Sequence, residues 1–148
     1  MTISIYESIY NKLEALGITD LYREKTIEAH KSKSGGYMDL NYDYLGIRTN
    51  DPREPAPCYD IALSHYYKEN GDMMADPDME IRIYPAIRSA KALTFQMANP
   101  PIYQEVYPEP GRYIKQLRTD LNIFLNQWLQ NCIDQGHTFK AEQAEFVH

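Results

Sequence analysis

The chain is poor in cysteine. Cys58 and Cys132 are its two, far apart among 148 residues. That excludes a disulfide framework and a zinc ribbon, both of which need cysteines at short, repeated spacings. Long apolar runs are missing as well. No stretch approaches the ~18 residues a membrane-spanning helix needs. The opening MTISIYESIYNKLE has no basic region ahead of an apolar core, so no signal peptide is expected. Glycine is sparse, and the adjacent pair Gly35-Gly36 sits in KSKSGG, which reads as a turn and not as a phosphate-binding loop. No complete nucleophile–base motif is written at short range. These absences lead us to expect a cytoplasmic, non-membrane protein with reduced thiols and no cofactor.

Positive charge is the scarcer sign. Fifteen lysines and arginines face twenty-one acids, a formal net charge of −6. This weighs against direct binding to nucleic-acid phosphates and suits a partner with a basic surface. Tyrosine is what the chain has in excess, thirteen against four phenylalanines and one tryptophan. Tyrosine fits half-buried strands and protein interfaces.

The central stretch Tyr59–Tyr84 holds the clearest strand signal. Tyr59, Ile61, Leu63, His65 and Tyr67 alternate with Asp60, Ala62, Ser64 and Tyr66, so successive side chains go to opposite faces. Ile61 and Leu63 should face a core, with His65 beside them as a hydrogen-bonded, partly buried histidine. Met79, Ile81 and Ile83 repeat the pattern against Glu80, Arg82 and Tyr84. Between the two, KENGDMMADPD reads as a real loop of about ten residues, because Asn70-Gly71 turns the chain and Asp76-Pro77-Asp78 breaks it again. Five acids fall there without a base: Glu69, Asp72, Asp76, Asp78 and Glu80. With Tyr66 beside them they form one candidate binding surface. A hard cation could be held by His65, Asp72, Asp76 and Asp78, but the spacing does not fit an EF-hand. A metal-dependent hydrolase or nuclease built on that set is the enzymatic alternative.

Two helices frame the strands. Ser4 and Glu7 read as a capping box. Ile5, Ile9, Leu13 and Leu16 recur at helical spacing until Gly17. Arg112–Gln135 is the stronger signal, with Ile114, Leu117, Leu121, Phe124, Leu125, Trp128, Leu129 and Cys132 on one stripe and Gly136 as its stop. Arg112, Lys115 and Arg118 lie three apart at its start, a second candidate binding set for an anion or an acidic partner. Between the helices, Lys25–Lys31 is a weak strand, Tyr37–Tyr44 a strong one, Arg48–Pro57 a proline-rich surface loop, Ala90–Met97 a strand and Ile102–Tyr107 a short one. His137 to His148 is polar, with a tail expected to fray from about residue 138. The fold expected is a single α+β domain: an antiparallel β-meander of five or six strands packed by an N-terminal and a long C-terminal helix.

Two stretches carry a resemblance. LSHYYKENGDMMADPDMEIRIYP, together with YQEVYPEPG and LNIFLNQWLQNCIDQG, resembles uncharacterised bacterial proteins often encoded on plasmids and integrative elements and grouped as domains of unknown function. The C-terminal part, from Tyr107 through Trp128 to Gly136, is also similar to a second uncharacterised enterobacterial family. The resemblance spans residues 59–84 and 103–137. It implies a shared fold and a mobile-element setting, and it carries no catalytic residue. The expected function is a small binding or inhibitory protein acting by contact on a protein partner, such as a host-defence or nucleic-acid-handling protein. A homodimeric structural module using Tyr37–Tyr44 as an open sheet edge is the third reading.

Overall fold

The computed structural model describes residues 2–23, 29–48 and 51–140. Helix α1 (Ile5–Ala15) begins where Ser4 Oγ accepts the Glu7 amide at 3.1 Å, as the capping pattern predicts. It ends at Leu16. Gly17 then takes φ +84°, and its amide donates to the Glu14 carbonyl at 3.0 Å. A short helix α2 (Ile18–Arg23) follows.

Six strands then form one antiparallel meander in chain order: β1 (His30–Ser32), β2 (Leu40–Arg48), β3 (Cys58–Glu69), β4 (Asp72–Tyr84), β5 (Ser89–Met97) and β6 (Ile102–Glu105). The fold class is the expected one. The weak strand placed at Lys25–Lys31 is seen only from His30, since 24–28 lie outside the described residues. The segment Tyr37–Tyr44 needs correction as a sheet edge. Its strand begins at Leu40, and β1 pairs with Leu40–Tyr42 on one side while β3 pairs on the other.

The larger correction concerns residues 69–80. They are not a ten-residue loop. β3 and β4 close as a hairpin through Asn70-Gly71 alone, with φ +54° and +87°, and Glu69 pairs with Asp72. Two central residues at positive φ give a turn whose twist matches the flanking strands. Pro77 escapes its usual role as a strand breaker because the register slips there. Ser64 pairs with Asp78 and Tyr66 with Ala75, which leaves Asp76 and Pro77 opposite His65, out of the ladder.

Both long helices lie over one face of the sheet. Helix α3 (Lys115–Asp134) and α1 pack on Leu40, Tyr42, Ile61, Leu63, Met79, Ile81 and Ile83, all fully buried. The alternation read in Tyr59–Tyr67 and Met79–Ile83 is therefore borne out. Asn122 of α3 reaches the sheet backbone, its side-chain carbonyl accepting the Ala92 amide at 2.9 Å where β5 shifts register. After α3 the chain does not fray at 138. His137 is buried, Phe139 packs on the core and its amide donates to the Leu16 carbonyl at 2.7 Å. A Cβ on Gly17 would stand 2.7 Å from the Lys140 backbone nitrogen, so the glycine lets this segment close over the end of α1. The rest of the expected tail, 141–148, lies outside the described residues.

Candidate functional site

The face of the sheet away from the helices is where the polar side chains gather. Pairing across the strands places them in rows. Asn41, Ser64, Asp78, Gln96 and Tyr103 make one, and Asp43, Ala62, Glu80, Thr94 and Glu105 the next. Gly46, Asp60, Arg82 and Lys91 make the third. Facing residues in adjacent antiparallel strands are side-chain neighbours. Four carboxylates from three strands thus share two adjacent rows: Asp43, Asp78, Glu80 and Glu105. Lys31 of β1, paired with Asn41 at the end of the first row, is the one base in them.

The physical consequence shows at Glu80. Partial burial, then the charges of Asp78, Asp60 and Glu105, push its carboxyl above the usual carboxylate range. Tyr66 donates its hydroxyl to Asp78 Oδ2 at 2.5 Å, and burial followed by that carboxylate raises its phenol to about 12. Tyr103, 57% exposed, is raised by burial and by Glu105 and Glu80. Two tyrosines therefore flank the acidic rows and stay protonated beside them.

The third row is balanced instead. Arg82 Nε and Nη2 donate to the two oxygens of Asp60 at 2.8 and 3.0 Å, and Nη1 to Glu54 Oε2 at 3.1 Å. Burial opposes the charge of Arg82, but the hydrogen bonds and field of Asp60, with Glu54, outweigh it and hold the guanidinium charged. Glu54 also accepts from the Tyr84 hydroxyl, and burial followed by that contact pushes the phenol up. Glu54 comes from the proline-rich loop, so this segment folds over one end of the open face.

The nine binding candidates separate in space. Asp78, Glu80 and Tyr66 stand on the open face. Glu69 and Asp72 flank the hairpin turn, exposed at its tip, and Asp76 is half-buried in the register slip. The basic triplet is not one helix face. Helix α3 starts at Lys115, with Ile114 as its N-cap. Arg112 lies before it and pairs with Glu109 at 3.4 Å, not with the acids of 69–80. Arg118 stacks over Tyr113, 4.2 Å from the ring centroid. The reason is local: the chain turns at Pro108, Pro110 and Gly111, where the Arg112 amide donates to the Glu109 carbonyl at 3.1 Å, before the Val106 carbonyl accepts the Ile114 amide at 3.0 Å.

His65 does not face the acids. It points to the helix side and is 5% exposed, with Nδ1 2.9 Å from the Asp39 carbonyl. That carbonyl can only accept, so Nδ1 carries the proton and Nε2 offers its lone pair to Cys132 Sγ, 3.8 Å away. Trp128 stands edge-on at 5.4 Å and the His137 ring at 5.8 Å. Folding thus supplies Cys132 with an imidazole that sequence spacing could not show. Burial pushes the thiol to about 12, which disfavours the thiolate a nucleophile requires. Among the described residues, no group of three or more histidines, cysteines, aspartates or glutamates is placed to hold a metal ion. Among them also, no helix is long and apolar enough to cross a membrane.

A family model described as a domain of unknown function, DUF6908, matches residues 7–138. The chain belongs to that family. The match reaches well beyond the two stretches 59–84 and 103–137 that carry the resemblance and takes in α1 and the whole sheet. It assigns no residue a role. No curated protein and no solved structure matches the chain.

Proposed function

We propose that the protein works by contact and not by catalysis, using the open face of its sheet to bind a protein with a basic docking surface. The observation that supports this is the pair of adjacent rows carrying Asp43, Asp78, Glu80 and Glu105 against a single base, Lys31 at the β1 end. Their mutual repulsion, visible at Glu80, costs the free protein stability. A cationic partner relieves that cost on binding, which is the charge complementarity a selective encounter needs. Tyr66 and Tyr103 add aromatic area beside the acids, as interface tyrosines do.

A face of this kind competes with nucleic-acid phosphates for a basic groove. Inhibition of a nucleic-acid-handling or host-defence protein is the form of binding that follows. The mobile-element setting implied by the resemblance agrees with such a role. Affinity capture from a bacterial lysate tests the reading, with the wild type compared against a Glu80→Gln/Glu105→Gln variant. One or a few basic proteins retained by the wild type, released by added salt and missing from the variant, are the expected result. An identical set from both proteins would contradict it.

A further inference from the structure

At the end of the open face, beyond the acidic rows, the proline-rich loop and the segment 107–113 wall off a cleft of about 390 Å³. Its cations are held by carboxylates, save one. Arg53 is held by Asp51 through two side-chain contacts at 3.1 Å, Arg82 by Asp60 at 2.8 and 3.0 Å and by Glu54 at 3.1 Å, and Arg112 by Glu109 at 3.4 Å. Lys91 is the fourth cation lining the cleft. Among the described residues its ammonium has no ion pair and no hydrogen-bond acceptor. It rests between two aromatic faces, 4.4 Å from the Tyr107 ring centroid and 5.6 Å from that of Tyr84.

A half-buried ammonium makes up for lost water with hydrogen-bond acceptors, and no protein acceptor among the described residues reaches this one. Burial, aided by Arg82 and opposed by Glu54, lowers the lysine's pKa. Tyr107 continues the aromatic wall to Tyr113, 6.4 Å away, whose other side is covered by Arg118. The cleft therefore offers one ammonium without a direct counter-ion at the foot of an aromatic wall.

We propose that this cleft binds a small organic monoanion, with a carboxylate on Lys91 Nζ and a flat apolar body against Tyr107 and Tyr113. The charge balance selects the class. A phosphate dianion or a nucleic-acid backbone would meet one free cation and three acids already at the walls, Asp51, Glu54 and Glu109. The anion-binding role that the sequence suggests for Arg112, Lys115 and Arg118 thus passes to a lysine on β5. The proposal does not depend on the protein partner, because the acidic rows take no part in it.

Benzoate is the probe, titrated into the full chain and followed through the backbone amide signals of residues 90–92 and 107–113. Saturable shifts confined to these residues are expected, and Lys91→Met should weaken binding by about tenfold or more. Benzyl alcohol, the neutral analogue, should bind wild type at least about tenfold more weakly, and phenyl phosphate no more tightly than benzoate. The benzoate and benzyl alcohol comparison needs no variant, so it still decides the matter should Lys91→Met fail to fold. No saturable shift with benzoate, equal binding of the alcohol, undiminished binding by the folded variant, or tighter binding of phenyl phosphate would each overturn the proposal.

Discussion

The two faces of one sheet solve opposite problems with alternate residues of the same strands. On β4, Met79, Ile81 and Ile83 go under the helices, while Asp78, Glu80 and Arg82 stay outside. The covered face gains by removing apolar surface from water, at roughly 25 cal/mol per Å². Some of its polar groups are hydrogen-bonded locally, as with His65 between the Asp39 carbonyl and the Cys132 thiol. The open face keeps charges that are not paired: an excess of acid in two rows and an ammonium without a direct partner in the cleft beside them. Stability should therefore be sensitive to the covered face and nearly indifferent to most of the open one. Binding should show the reverse.

The sharpest form of that contrast is a pair of truncations. Leu125→Ala, under the helix and fully buried, should cost about 2–5 kcal/mol in urea unfolding. Tyr103→Ala, a larger truncation on the open face, should stay within about 0.5 kcal/mol. Arg82→Met is the expected exception on the open side. It strands Asp60, which is 8% exposed, without its guanidinium, and should cost about 3 kcal/mol in the same assay. Loss of less than about 1 kcal/mol would mean the Asp60–Arg82–Glu54 cluster is solvated in practice.

A smaller effect comes from pH. Burial, with the neighbouring His65, lowers His137 below its ordinary value of 6.5. Below pH 6.5 the unfolded chain then binds more protons than the folded one. This contribution to stability is complete above 6.5 and is lost as the pH falls through that value toward the lower folded pKa. Urea midpoints at about pH 7.5 and about pH 5.5 should show the drop, and His137→Gln should flatten it. Smallest of all is a gain. Glu80→Gln removes a repelled carboxylate and should raise stability by up to about 0.5 kcal/mol while weakening the partner.

The sequence made the covered face readable because burial imposes a period on residues close together in the chain. Ile61 and Leu63, or Leu121 and Leu125, declare it within a few positions. The same locality misled at 69–80, where acids and Pro77 look like a loop. The hairpin is set instead by two residues at positive φ, with the proline parked in a register slip. The open face was legible only in part. Asp78 and Glu80 stand out in one stretch, but Asp43 and Glu105 join them through pairing that composition cannot reveal. Glu54 and Lys91 are further still from notice. Their roles arise where a loop and two strands distant in sequence converge. Thirteen tyrosines were the available hint, since Tyr84, Tyr107 and Tyr113 line that convergence.

The central claim is that the open sheet face, and not acidity in general, makes the contact. Two variants with the same change in charge separate these: Glu80→Gln/Glu105→Gln on the face, and Glu69→Gln/Asp72→Asn at the hairpin tip. Each is titrated by calorimetry against the partner captured by the wild type. The face variant should lose at least about tenfold in affinity, and the tip variant should bind within about twofold of wild type. Equal losses in both, or loss at the tip alone, would contradict the account.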